Sequence, residues 1–187
     1  MNVLKKELLE WGKAIIITLI IFSIYSYFFA ITTVYNTSMY PTLVEKDMLF
    51  MVKNTTFEKG DIISFESELT LSEADFQGLN FIQKILHRTG EPKNLIKRII
   101  AGPGDSIEIK EGVVKVNGVI IDEPYINTIT TKEAFYDNIP QGMYFLMGDN
   151  RAVSYDSRDL GLVSEDSFIG KVVFRFMPLS KIGTVDN

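Results

Sequence analysis

The chain has 187 residues, 24 of them acidic and 19 basic, and its formal net charge is −5. It has no cysteine and a single histidine, His87, so disulfide frameworks, thiol nucleophiles, thiolate zinc sites and multi-histidine metal centres are excluded. The acidic balance argues against nucleic acid as a partner, because neutralising phosphates requires clustered Lys and Arg. This length predicts one globular unit with an appendage, and we expect no metal or other cofactor.

The N-terminal region predicts a membrane anchor. No charged residue occurs in the stretch 14–44. About 20 apolar residues at 1.5 Å per residue cross a hydrocarbon core of about 30 Å. We therefore predict a cytoplasmic tail at 1–13, a transmembrane anchor at 14–33 and an extracytoplasmic domain at 34–187.

Positive charge lies on only one side of this apolar segment. Lys5, Lys6 and Lys13 precede it, and no Lys or Arg follows until Lys46. The positive-inside rule then places the N-terminus in the cytoplasm and the rest of the chain outside. A cleaved signal peptide and a buried core helix are the two alternatives. The first requires a shorter apolar run with a small-x-small cleavage site and the second a polar stripe, and neither feature is evident.

Beyond the anchor the chain predicts a mainly β fold. Turn residues separate short apolar runs, a pattern typical of barrels and sandwiches. The runs lie at 48–52, 62–65, 95–101, 107–109, 113–116, 119–121, 143–147 and 172–176. Asn117-Gly118 stands between two β-branched runs and predicts a hairpin. Residues 66–94 are polar and weakly periodic, so we expect a solvated insertion there, with one helix near 81–86.

Four further segments carry candidate chemistry. They are Asn36-Thr37-Ser38-Met39-Tyr40-Pro41-Thr42, Gly60-Asp61-Ile62-Ile63-Ser64-Phe65, Ile96-Lys97-Arg98-Ile99-Ile100-Ala101-Gly102-Pro103-Gly104-Asp105, and Gly148-Asp149-Asn150-Arg151 continuing to Ser154-Tyr155-Asp156-Ser157-Arg158. In order and content they resemble the boxes of the type I signal peptidases, membrane-bound serine proteases with a Ser/Lys dyad. The short chain with one anchor is most similar to the Gram-positive form. This resemblance implies a signal-peptidase-like β-barrel or sandwich domain that removes N-terminal signal peptides from exported preproteins.

The resemblance makes Ser38 the nucleophile and Lys97 the general base. A serine hydroxyl requires a neighbouring base to attack an amide. A lysine serves only when neutral, so its pKa must fall several units below about 10.4, which burial among apolar groups achieves. Strand alternation places Lys97 and Ile99 on one face, with Arg98 on the other. A Ser-His-Asp triad would have to use His87, which lies in the polar insertion without a recognisable motif.

The resemblance also implies supporting roles around the dyad. Ser154 would hydrogen-bond the base, Asp156 and Arg158 would form an ion pair that braces the site, and Arg98 would be structural.

The oxyanion hole departs from the family's common patterns. The amide of Ser38 would donate one hydrogen bond to the oxyanion. The second donor is a serine two residues earlier in many members, whereas Gram-positive members often have glycine there. This chain has Asn36, whose side-chain amide would either donate that bond or only shape the loop.

Two other functions stay open at this level. A Ser/Lys autoprotease of the repressor type shares the dyad, but it would need a DNA-binding domain or an autocleavage site in place of the anchor. A signal-peptidase-like protein dedicated to pilus or surface-fibre assembly is the second. The expected partners are preproteins with cleavable signal peptides and the lipid bilayer.

Overall fold

The computed structural model describes residues 3–71 and 90–185. In these residues a long helix precedes a mainly β domain, and the elements are α1 (Val3–Phe28), β1 (Phe29–Thr33), β2 (Met48–Val52), β3 (Ile62–Thr70), β4 (Pro92–Ala101), β5 (Ile107–Lys110), β6 (Val113–Val116), β7 (Val119–Ile120), β8 (Ala134–Tyr136), β9 (Met143–Met147), α2 (Ser157–Leu160), β10 (Val163–Ser164), β11 (Phe168–Met177) and β12 (Gly183–Thr184). Single 3-10 turns lie at Glu165–Ser167 and Leu179–Lys181. The predicted mainly β fold with an N-terminal apolar helix is confirmed.

Helix α1 ends earlier than the predicted membrane span of 14–33. The stretch Lys6–Phe28 is long and apolar enough to cross a membrane; its most apolar window has a mean hydropathy of 1.8, and none of that window is buried. Phe29–Thr33 forms β1 instead, which pairs antiparallel with β2. The chain changes from helix to strand here because Ile31, Thr32 and Thr33 are β-branched, and their side chains fit a pleated sheet better than a helix.

Strand β3 extends into the region 66–94 that was predicted as an insertion. β3 continues to Thr70 and β4 begins at Pro92, so 66–94 is not entirely irregular. Glu66 and Glu68 are exposed while Ser67 between them is buried, which is the period of a strand with one solvated face. The helix predicted near 81–86, and His87, lie outside the described residues.

The described residues of the domain form two antiparallel sheets. The larger has the strand order β1-β2-β11-β3-β4-β9-β10, with β12 paired to β11, and the smaller has the order β7-β6-β5-β8. The predicted hairpin between β6 and β7 is present, with Asn117 and Gly118 both in the left-handed region at φ 54° and 75°. Such a two-residue turn matches the right-handed twist of its strands.

The hydrophobic core lies in three clusters, and one of them holds the loop between β1 and β2. Met39 and Leu43 of that loop are 1% and 0% exposed, and they pack with Leu49, Met51 and neighbouring apolar side chains. Burying two such side chains stabilises the loop by about 3 kcal/mol or more. A loop anchored in this way presents the residues between its anchors in a fixed conformation.

Candidate active site

Ser38 lies in the β1–β2 loop, and a second loop fixes its backbone. The amide of Asn150 donates to the Ser38 carbonyl at 3.0 Å, and Asn150 Nδ2 donates to the Thr37 carbonyl at 3.0 Å. A Cβ atom at Gly148 would lie 2.4 Å from the Ser38 carbonyl oxygen, so this close approach requires glycine. Asn150 belongs to the Gly148-Asp149-Asn150-Arg151 segment, but its contact with the serine loop has no signal in the sequence.

Lys97 lies in the middle of β4 with its amine against the serine. Its Nζ is 2.8 Å from Ser38 Oγ and 3.1 Å from the Ile96 carbonyl oxygen. The side chain is 1% exposed, and β4 is flanked by β3 and β9. The structure therefore brings together the two residues predicted as nucleophile and base.

The surroundings of Lys97 favour its neutral form. Burial lowers its pKa from an ordinary value of 10.5 to about 8, although the charge of Asp156 acts in the opposite direction. Arg158 also lowers the pKa by charge repulsion. An amine with a pKa near 8 is neutral in a useful fraction of molecules at neutral pH, and it is therefore able to accept a proton.

Asn36, predicted either to donate to the oxyanion or only to shape the loop, contacts Ser38 through its side-chain oxygen. Asn36 Oδ1 accepts a bond of 3.1 Å from the Ser38 amide and one of 2.8 Å from Ser38 Oγ. The expected oxyanion donor, the amide of Ser38, is therefore engaged by Asn36. Asn36 itself is exposed, so its side chain can rotate into solvent without disturbing the core.

Ser154 is next to the site but does not hydrogen-bond the base as predicted. Its Oγ is buried and lacks a hydrogen-bond partner of good geometry in the described part of the chain, although its hydroxyl helps to lower the pKa of Asp156. A Cβ at Gly148 would lie 2.2 Å from this oxygen, so Ser154 packs directly on the glycine. The partners of the Lys97 amine are instead Ser38 and a backbone carbonyl.

The predicted ion pair between Asp156 and Arg158 is present and fully buried. Arg158 donates from Nε to Oδ1 at 2.8 Å and from Nη2 to Oδ2 at 2.7 Å. Burial would raise the pKa of Asp156, but Arg158 and the Gly148 amide hold that pKa below its usual value. The bond from the Gly148 amide, 2.9 Å long, ties this pair to the loop that supports Ser38.

Arg98 has a partner that sequence reasoning did not assign. It donates two hydrogen bonds to Asp149, of 2.9 Å and 2.8 Å, and both side chains are fully buried. Thr42 of the serine loop donates to the same carboxylate, and the Tyr125 ring lies 4.0 Å from the guanidinium carbon. Bidentate geometry with a stacked ring suits arginine and not lysine. Arg98 therefore connects the strand that carries Lys97 to the loop that carries Ser38.

Comparisons with known proteins identify relatives of the chain. The family model described as signal peptidase, peptidase S26, matches residues 8–177. The chain is 33% identical to signal peptidase IB of Staphylococcus aureus over 95% of its own length and 94% of the relative's. It is 32% identical to signal peptidase I S of Bacillus subtilis with the same coverage. A crystal structure of a signal peptidase I from Enterococcus faecalis, 28% identical, covers 63% of this chain and 97% of its own with a TM-score of 0.46.

Proposed function

The chain belongs to the signal peptidase family, peptidase S26, and is a membrane serine endopeptidase that removes signal peptides; we propose that Ser38 and Lys97 perform its chemistry. The observation that carries the proposal is the 2.8 Å contact between Lys97 Nζ and Ser38 Oγ in a buried site. This distance is within hydrogen-bond reach of a general base and its nucleophile.

The reaction begins when the neutral amine of Lys97 takes the hydroxyl proton of Ser38. Ser38 Oγ then bonds to the carbonyl carbon of the scissile amide, and the carbonyl electrons move onto its oxygen. As this intermediate collapses, the C–N bond breaks and the Lys97 ammonium returns the proton to the leaving amine. Water attacks the resulting ester with Lys97 again as base, which releases the signal peptide and restores Ser38.

The oxyanion hole forms around the amide of Ser38. Asn36 Oδ1 stands 3.1 Å from that amide in the free protein, so the substrate carbonyl has to replace it. The displaced side chain then presents its Nδ2 group as the second donor. Donors of this type stabilise the charge of the tetrahedral intermediate, and each is worth about 10²–10³ in rate.

Ser154, Asp156 and Arg158 act as positioning residues. The Asp156–Arg158 pair supports the Gly148 amide, and Gly148 packs between Ser154 and the Ser38 carbonyl. Arg98 and Asp149 hold the opposite end of the serine loop through Thr42. These residues keep the nucleophile and base at fixed separation without touching the reacting atoms.

The protein acts on preproteins at the membrane, and the signal peptide is its substrate. We infer that α1 crosses the bilayer with residues 1–13 in the cytoplasm and the catalytic domain outside, as the lysines that precede the apolar segment indicate. The apolar core of a signal peptide stays in the same bilayer, so its scissile bond emerges on the side of the domain. A shared membrane raises the effective concentration of the two chains.

Substitutions at the dyad test the proposal. Ser38→Ala and Lys97→Ala should each abolish cleavage of a preprotein, and Lys97→Arg should fail as well because a guanidinium keeps its proton. Removing one member of such a unit costs about 10⁴-fold or more in turnover. Ser180→Ala and Lys110→Ala change the same residue types at exposed positions and serve as matched controls. Normal cleavage by a folded Ser38→Ala or Lys97→Ala protein would refute the dyad.

A further inference from the structure

The junction between α1 and the catalytic domain has no linker. α1 ends at Phe28 and β1 begins at Phe29. The last four carbonyl groups of an α-helix have no hydrogen-bond partner within the helix. At the end of a membrane helix such groups lie near the hydrocarbon region, where an unsatisfied carbonyl costs several kcal/mol. The end of α1 therefore needs donors from elsewhere in the chain.

Two consecutive residues supply these donors. The amide of Lys53 donates to the Phe28 carbonyl at 2.8 Å, and Lys53 Nζ donates to the Ser26 carbonyl at 3.0 Å. Asn54 Nδ2 donates to the Tyr27 carbonyl at 2.8 Å. Three successive carbonyls at the helix end are thus held by one dipeptide. The ammonium of Lys53 also lies at the negative end of the helix dipole, which strengthens its contact.

The same dipeptide is rigidly connected to the large sheet. It follows β2, which pairs with both β1 and β11. Asn54 has φ 51°, a left-handed conformation that asparagine tolerates better than most residues. Phe29 packs against Phe50 of β2, with ring centroids 5.1 Å apart, and against Tyr25 of α1 at 5.5 Å. The end of α1, the start of β1 and this dipeptide therefore contact one another through hydrogen bonds and aromatic packing, and we call this contact region the joint.

We propose that Lys53 and Asn54 are positioning residues that fix the angle between the membrane helix and the catalytic sheet. This inference rests on the proposed function, since the angle determines the height of Ser38 above the bilayer. One residue of extended substrate spans about 3.3 Å, so a small tilt of the domain presents a different peptide bond to the nucleophile. The joint thereby determines which bond of a membrane-held precursor is cut.

The test separates positioning from chemistry by using two substrates. The full chain carries Lys53→Met and Asn54→Gly together, because methionine keeps the length of lysine and glycine keeps the positive φ, while the pair removes the two side-chain donors and leaves the Lys53 amide in place. One substrate is a membrane-inserted precursor in lipid vesicles, and the other is a short soluble peptide that spans the cleavage site. A misplacement of about 1 Å can cost about 10²-fold in rate. We expect precursor cleavage to fall at least about tenfold, or the mature N-termini found by mass spectrometry to spread over neighbouring positions.

Peptide cleavage by the double variant should stay within about twofold of the parent, because the peptide brings no membrane segment to align. Lys110→Met, an exposed lysine away from the joint, is the control. Lys53→Arg combined with Asn54→Gly should recover part of the precursor rate lost in the double variant, because arginine keeps a donor at the Ser26 carbonyl. An unchanged precursor rate with one unchanged mature N-terminus would overturn the inference. An equal loss on both substrates would overturn it as well, since the effect would then lie in the active site or the fold.

Failure of the proposed function would appear in a different measurement. A Ser38→Ala protein that still cleaved the peptide would refute the dyad. The variants at Lys53 and Asn54 would still report on positioning in that case. Their readout is the ratio of the precursor rate to the peptide rate, and both rates belong to the same enzyme.

Discussion

Lys97 and Arg98 are adjacent buried cations on opposite faces of β4, and the protein treats them differently. The Lys97 amine contacts a hydroxyl and a carbonyl, and the described residues give it no carboxylate as an ion-pair partner. The Arg98 guanidinium has both oxygens of Asp149 and a tyrosine ring over it. One face therefore holds a buried amine without a carboxylate partner, and the other holds a guanidinium paired with a carboxylate.

The difference shows how a strand can serve both catalysis and structure. Burial without a paired carboxylate lowers the pKa of an amine, whereas burial with bidentate hydrogen bonds compensates the charge of a guanidinium. Asp149 is within the same loop as the residue that holds the Ser38 carbonyl. The permanent pair therefore aligns the nucleophile while the neutralisable amine activates it. Four predictions test this division, from the largest expected effect to the smallest.

Removing the carboxylate on the Arg98 face should have the largest effect. Asp149→Ala leaves the guanidinium buried without a counter-charge, which typically costs about 3–5 kcal/mol in the free energy of unfolding. Denaturant unfolding of the full chain in detergent micelles measures this loss. Asp159→Ala is the matched control, because its ion pair with Lys132 is partly exposed and should contribute less than about 1 kcal/mol. Equal losses in the two variants would remove the special role of the buried pair.

The second prediction concerns Asn36, whose contact with the Ser38 amide has to be replaced by the substrate carbonyl. Asn36→Ala removes the proposed Nδ2 donor, so kcat should fall by about 10²–10³ while KM changes little. Steady-state cleavage of a peptide substrate gives both constants. Thr37→Ala, an exposed change in the same loop, is the control. An unchanged kcat in Asn36→Ala would exclude Asn36 from the oxyanion hole and leave it only as a residue that shapes the loop.

The sequence predicted the elements with local signals and missed those that depend on distant partners. The strands at 48–52, 113–116 and 143–147 were predicted with the observed bounds, because each is a short apolar run between turn residues. The end of α1 was placed five residues late, at Thr33 instead of Phe28, because hydropathy does not distinguish an apolar helix from the apolar strand that continues it.

The site shows the same division between local and distant signals. Resemblance to family motifs named Ser38 and Lys97, which the structure brings into contact. The pairing of Arg98 with Asp149 depends on the register between β4 and β9, in which Arg98 lies opposite Met147. Register is determined by the packing of the whole sheet, so no local pattern reveals it. The predicted bond from Ser154 to Lys97 is absent for a similar reason, since side-chain rotation is not encoded in a motif.

The pH dependence of cleavage should follow the amine and not the guanidinium. The active base is neutral Lys97, whose pKa is about 8, so kcat/KM should rise with pH and level off above that value. For one titrating group the neutral fraction grows about 50-fold between pH 6 and pH 8. Peptide cleavage across pH 5 to 10, with folding checked at each pH, measures the profile. A flat profile would contradict a lysine base.

Replacing the amine itself should have a smaller effect on stability, and of opposite sign to the loss of Asp149. The pKa of Lys97 is about 8 in the folded protein and 10.5 ordinarily, so the unfolded chain binds more protons between these values and stability rises with pH there. Below pH 8 the charged amine costs the folded state up to about 3 kcal/mol, at about 1.36 kcal/mol per pH unit. Lys97→Met removes this cost and loses two hydrogen bonds, each worth about 1 kcal/mol.

We therefore expect Lys97→Met to be more stable than the parent by about 1–2 kcal/mol at pH 6, when unfolding is followed in detergent micelles. The advantage should shrink as the pH rises from 8 towards 10.5, because the parent then folds with a neutral amine. Arg98→Met, in contrast, leaves the Asp149 carboxylate buried without a counter-charge. This variant should be less stable than the parent at every pH above the titration range of acids. If Lys97→Met lost as much stability as Arg98→Met, and lost it equally at every pH, the prediction would be wrong. Both side chains would then act as structural cations.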